Sequence, residues 1–345
     1  MSTSRRLIGC AGGGDKIVAP DFIVTISNGG TYAFTYDADT ETLANVTSTY
    51  IPSGAPASAG GFESINGNPN GTKFTSTGWY APLRCATFDT STTPFTMTSQ
   101  GSLPIGSSGN RLGGTPAVNS RGTYTMASSA TGAGYYSTST GNSWSFYASG
   151  SYNRHCSGHN RAYIAISNSL YCYGATGAPS YISNLSIGSS GRLAASERTY
   201  DPTSYTNPTQ NEVIAVSGNN AIIIYDATTG TYSKIRDGVA DDSTSTCNGA
   251  GVTADGTRVI FGTTNNVYVY DVDPDAKTAS LLTTVPVAGG AAYSGDCDIF
   301  PSGNAFVTMS SSTIYVYDID GNLLDSIGAG TYGVSCLYDG VNATE

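Results

Sequence analysis

The only two histidines, His155 and His159, stand four residues apart in "NRHCSGHNR" (153–161), with Cys156 between them. On a strand, residues i and i+4 share a face, and imidazole and thiolate are common transition-metal ligands. Cys156 falls on the opposite face, and the sequence shows no third ligand. A polar wall is therefore expected here, with His155 and His159 the candidates should a metal bind. Arg154, Glu63, Asp296 and Asp298 add the charged groups that an enzyme would have to bring within hydrogen-bond reach of these histidines in one concave pocket. "DADTE" (37–41), "DVDPD" (271–275) and "DIDGN" (318–322) space their oxygens as Ca²⁺ ligands do, but none has the twelve-residue loop with its closing Glu. Asp and Gly also favour tight turns, which is the expected reading. "GCAGGGDK" (9–16) is not a phosphate loop, because Asp15 separates the glycines from Lys16 and no Ser or Thr follows. No G-x-S-x-G nucleophile elbow is present. Cofactors are expected to be none.

The elements that must carry these residues are short strands. The chain has 345 residues, of which 43 are Gly and 24 are Tyr, and only 12% are charged, against about 25% in ordinary domains. No long run has the 3.6-residue apolar spacing of a helix. Brief apolar runs separated by Gly, Asn, Asp and Ser dominate, which reads as all-β. A net charge of −10 without a basic patch argues against affinity for nucleic-acid phosphates, though not against an acidic channel that lets DNA pass without sticking. No stretch approaches a membrane span, and no apolar segment of the signal-peptide kind follows Arg5 and Arg6. The seven cysteines, Cys10, Cys85, Cys156, Cys172, Cys247, Cys297 and Cys336, contain no CxxC pair and are expected as small buried thiols.

One strand recurs: "GTYAFTYDADT" (30–40), "NAIIIYDATTG" (220–230), "NNVYVYDVDPD" (265–275) and "STIYVYDIDGN" (312–322). Around it lies a unit of four strands in about 40–47 residues. The turn between its first two strands reads "NGTKF", "RGTYT", "NRAYI", "DGTRV" or "SGNAF". The ends are out of phase. Residues 332–345 give a first strand and nothing after it, whereas residues 21–51 give the second, third and fourth strands with no first. Residues about 333–339 are therefore expected to pair beside residues about 21–27. That makes six complete units and one shared between the termini.

With Tyr36-Asp37, Phe88-Asp89, Tyr225-Asp226, Tyr270-Asp271 and Tyr317-Asp318 at the ends of its third strands, the chain resembles the seven-bladed β-propeller superfamily, including WD-repeat-like and YVTN-like proteins. The resemblance covers about residues 15–345. It implies a single domain of seven blades with four antiparallel strands each, the C-terminal strand closing the ring on the N-terminal blade. It also implies that any ligand site lies in the central channel, where His155, His159, Arg154, Asp296, Asp298 and Glu63 are the candidates. "STSTGNSW" (137–144) looks like the box of sialidase blades, with Ser139 at its Asp position, which is a folding element.

Residues 1–14 have no place in the repeat and form an expected arm. Leu7 and Ile8 are read as its buried contacts and Arg5 and Arg6 as its ionic ones on a neighbouring subunit, the alternative being an arm folded back across its own propeller face. Low charge and a Tyr-, Ser-, Gly- and Asn-rich surface direct the first expectation to a non-catalytic subunit of a large assembly, a bacteriophage tail or neck component located in the virion. The partners would be other subunits, with no sequence-specific nucleic acid and no membrane. The alternative is a propeller enzyme, a lactonase-like hydrolase, or a carbohydrate-binding lectin with its site at the channel mouth, extracellular or at the cell surface.

Overall fold

The computed structural model describes residues 21–45 except 28–29 and 38–39, the strands between 62 and 186, and most of 193–196, 211–236, 249–287 and 297–337. The expected arm, residues 1–14, lies outside the described residues. Every regular element among the described residues is a β-strand, and these strands form seven four-stranded antiparallel sheets. No described helix is long and apolar enough to cross a membrane.

Sheet 1 contains β1 (Asp21–Ser27), β2 (Gly30–Asp37) and β3 (Thr42–Asn45). Sheet 2 runs through β4 (Phe62–Gly67), β5 (Lys73–Gly78), β6 (Arg84–Asp89) and β7 (Thr96–Ser102). Sheet 3 follows with β8 (Ala117–Val118), β9 (Tyr124–Ser129), β10 (Gly132–Ser137) and β11 (Ser143–Tyr147). Sheet 4 has β12 (Arg154–Ser157), β13 (Arg161–Ile166), β14 (Ser169–Gly174) and β15 (Tyr181–Ser186). Sheet 5 has β16 (Leu193–Ala195), β17 (Glu212–Val216), β18 (Ala221–Asp226) and β19 (Thr231–Arg236). Sheet 6 has β20 (Gly249–Val252), β21 (Arg258–Gly262), β22 (Asn266–Asp273) and β23 (Thr278–Pro286). Sheet 7 has β24 (Cys297–Ile299), β25 (Ala305–Ser310), β26 (Thr313–Asp318) and β27 (Leu323–Gly328). The last strand, β28 (Gly333–Leu337), joins sheet 1 ahead of β1, pairing Phe22 with Leu337, Val24 with Ser335 and Ile26 with Gly333.

Successive sheets approach through their first strands. In order, β28 lies beside β4, β4 beside β8, β8 beside β12, β12 beside β16, β16 beside β20, β20 beside β24, and β24 beside β28. The core lies between the sheets, which explains a feature of the sequence that simple alternation does not. The run "AIIIYD" of β18 is apolar at consecutive positions because both faces are covered. Ala221, Ile223 and Tyr225 pack with Tyr163 and Leu170 of sheet 4, while Ile222 and Ile224 pack with Phe261 and Tyr270 of sheet 6. In β22, Tyr268 and Tyr270 turn to sheet 5, and Val267 and Val269 turn to sheet 7. In β26, Ile314 and Val316 turn to sheet 1, where Ile23 and Phe34 meet them. Each fully buried aliphatic or aromatic side chain contributes about 1.5–3 kcal/mol, so inter-sheet packing holds the array together.

In the turns after the third strands aspartates bond to the backbone. Asp226 Oδ1 accepts the backbone N–H groups of Thr228 and Thr229 at 2.9 and 3.0 Å. Asp273 Oδ1 does the same for Asp275 and Ala276, and Asp318 Oδ1 accepts from Asn322 N–H at 2.7 Å. Three of these turns close on a left-handed residue: Glu41 (φ 55), Gly230 (φ 68) and Lys277 (φ 57). The carboxylates thus act as turn acceptors, which is why Asp ends the strand. The strand also outlasts the motif at one place, since β22 continues past Tyr270-Asp271 to Asp273.

Candidate functional site

The candidates among the described residues fall on first strands. Glu63 is in β4, where Phe62 pairs with Gly78 and Ser64 with Thr77, so that Glu63 is the extra residue of a bulge. Bulges commonly re-aim a side chain. Arg154 pairs with Ala165 and His155 with Ile164, both in β12. Asp298 pairs with Val307 in β24. His159 and Asp296 lie outside the described residues, and β12 ends at Ser157, so the strand that carries His155 is not described as far as His159. Matched on the Tyr that ends each third strand, Asp298 holds the place of Cys156, and His155 that of Cys297. The four described candidates therefore share the first-strand layer but sit on sheets 2, 4 and 7 and at more than one level.

Asp298 is the best defined of them. It is half-buried between fully buried Cys297 and Ile299, and its Oδ1 accepts the N–H of Ile299 at 2.9 Å. The "GAG" of β20 allows the neighbouring strand close. A Cβ on Gly251 would lie 2.8 Å from Ile299 N and 3.1 Å from Asp298 Oδ1. Cys297 and Cys172 are buried and form no disulfide, as expected from the sequence for small packing residues. No group of three or more His, Cys, Asp or Glu side chains able to hold a metal ion occurs among the described residues.

Sequence reading missed one buried acid. Glu212 opens β17 with no exposed surface, and its Oε2 accepts the hydroxyl of Tyr163 at 2.5 Å across the sheet 4–sheet 5 boundary. The only sequence signal is a lone charge at the start of the apolar run "EVIAV", because its partner lies 49 residues away.

Nearer the periphery, Lys277 Nζ bridges sheets 6 and 5 by donating to Asp226 Oδ2 at 2.8 Å. This bond, with the N–H groups of Thr229 and Thr228, lowers the Asp226 pKa from its ordinary 3.8 to about 2. A depressed carboxyl pKa supports the fold fully above the unfolded value and loses that support as pH falls toward the folded one. The window here is about pH 4 down to 2. In Lys277→Met the Asp226 carboxyl is expected to titrate measurably closer to 3.8 when followed by side-chain NMR. Identical titration in both proteins would contradict the bridge.

The fold and its first-strand layer define an all-β protein of propeller-like build, and solved structures of that kind superpose on it. A Lactobacillus plantarum protein matches with a TM-score of 0.68 and 16% identity, over 92% of this chain and 100% of its own. The periplasmic gluconolactonase of Pseudomonas aeruginosa matches with a TM-score of 0.62 and 10% identity, over 93% and 100%. A Bacteroides uniformis protein provisionally named 6-phosphogluconolactonase matches with a TM-score of 0.61 and 11% identity, over 92% and 99%. At such identities the likeness is one of fold. No protein-family model matches the chain, and no curated protein matches it in sequence.

Proposed function

We propose that the seven sheets are the blades of a closed propeller, with β28 completing the first blade, and that the protein hydrolyses a sugar lactone at the mouth of the central channel. The succession of neighbouring first strands, from β28 round to β24 and back to β28, supports the ring. The observation that carries the activity is the placement of Glu63, Arg154, His155 and Asp298 on those strands in a chain with so few charges. The neighbours named as gluconolactonase and 6-phosphogluconolactonase, matched over almost their whole length, support the same reading. A virion role has no support among these structures. The periplasmic neighbour agrees with an extracytoplasmic setting.

The chemistry asks for little. A carboxylate or imidazole takes a proton from water, and the hydroxide adds to the lactone carbonyl. A cationic group stabilises the oxyanion while the ring C–O bond breaks. The ring oxygen leaves with the proton, giving the open hydroxy acid. Glu63, Asp298 and His155 are the candidate bases, and Arg154 is the candidate for the oxyanion.

The test is hydrolysis of glucono-δ-lactone and its 6-phosphate by the purified chain, followed by proton release against the spontaneous rate. Turnover is expected, with a loss of about 100-fold or more in Asp298→Asn or His155→Ala, as for removal of a general base. Absence of turnover on both lactones overturns the hydrolase. Binding of gluconate without turnover would instead favour the carbohydrate-binding reading.

A further inference from the structure

Gly251 has no backbone reason to be glycine. Its φ lies outside the left-handed region, unlike that of Gly230 or Gly303. It sits inside β20, where glycine weakens a strand. Matched on the aromatic residue that ends each third strand, the same position is Leu337 in sheet 1, Asn66 in sheet 2, Cys156 in sheet 4, buried Ser196 in sheet 5 and Asp298 in sheet 7. The repeat therefore accepts side chains from Ser to Leu here and does not itself ask for glycine.

What differs at sheet 6 is the neighbour. β20 lies beside β24, and the two atoms that a Cβ on Gly251 would meet first form one hydrogen bond. Ile299 N would stand at 2.8 Å and Asp298 Oδ1 at 3.1 Å, and Ile299 N–H donates to that oxygen at 2.9 Å. The donor is anchored, because Cys297 and Ile299 pack into the cluster with Ile260, Val267 and Val285. The half-buried carboxylate of Asp298 is the part able to swing away. A methyl group at position 251 would press on donor and acceptor together and turn the carboxylate off its N–H.

We propose that Gly251 is a positioning residue for Asp298. The missing side chain keeps Oδ1 on the Ile299 N–H and so fixes the orientation of the carboxylate that takes the proton from water. The kinetic role rests on the hydrolase reading above, whereas the placement of the carboxylate does not.

Two measurements test this. In urea unfolding, Gly251→Ala is expected to cost less stability in an Asp298→Ala background than in the wild type, because no carboxylate remains to be displaced. If Gly251→Ala alone does not fold, the Gly251→Ala/Asp298→Ala double variant is expected to fold. In initial rates on glucono-δ-lactone, Gly251→Ala is expected to lower kcat about tenfold or more with KM within about twofold, as for a misplaced reacting group. Equal costs in both backgrounds, an unfolded double variant, or an unchanged kcat overturns the proposal. Absence of wild-type turnover on both lactones fells the hydrolase reading and the kinetic role with it, while the stability comparison still decides whether Gly251 orients the carboxylate.

Discussion

Removing residues 332–345 is expected to destabilise the whole array of sheets rather than trim one edge. β28 is the first strand of sheet 1 and is paired with β1 from Phe22 to Ile26. It also lies beside β4 of sheet 2 and β24 of sheet 7. Its loss bares the backbone edge of β1 and opens the flank of the cluster in which Ile23, Phe34 and Tyr36 pack on Phe300, Val307 and Ile314. Nothing else described in the chain replaces those hydrogen bonds. A loss of about 5 kcal/mol is expected, a large share of the roughly 5–15 kcal/mol that domains possess. The thermal midpoint should fall by about 10 °C or more, or the protein should become insoluble. A synthetic peptide of residues 332–345 added in trans should restore part of the midpoint. An unchanged midpoint in the truncated protein would contradict the role of β28.

Gly251→Val is expected to be the most damaging single substitution at the first-strand layer. A Cβ at Gly251 meets Ile299 N at 2.8 Å and Ile260 Cγ1 at 3.2 Å. The nearest atom is backbone, so the clash is not relieved by a side-chain rotation. Either β20 and β24 part, or β20 shifts and disturbs Ala250, which packs on Val213 and Ala215 of sheet 5. Overpacking of this kind costs about 3 kcal/mol. Gly230→Ala provides the comparison, since its φ of +68° imposes strain without a close contact and should cost about 1–2 kcal/mol. Urea unfolding midpoints separate the two. If the Gly251→Val variant unfolds like the wild type, the sheets do not approach as described.

How much of this was legible depended on range along the chain. The Tyr-Asp ends were readable because β18, β22 and β26 repeat the same local problem, an apolar strand that must stop in a tight turn, with Asp supplying the acceptor. The deficit at the termini was readable because a missing strand leaves a gap in a count. Consecutive isoleucines in β18 were harder to read, because alternation presupposes one wet face and this strand has none. The bulge at Glu63 leaves no signature in a run of Ser, Gly and Asn. The Tyr163–Glu212 bond and the Lys277–Asp226 bridge join residues 49 and 51 positions apart, beyond any spacing rule. The reading of function changed most. Composition pointed to an assembly subunit, whereas the proposal of lactone hydrolysis starts from the first-strand placement of Glu63, Arg154, His155 and Asp298.

Hydrogen exchange of the full chain, measured with and without excess gluconate, locates the proposed lactone site, because the hydrolysis product must occupy the same site as the lactone. Slower exchange is expected in peptides covering residues 62–67, 154–157 and 297–299, the first strands that carry the candidate residues, with no change in the outer strand at 278–286. Slowing confined to outer strands, or no slowing at gluconate concentrations that saturate any inhibition of turnover, would contradict it.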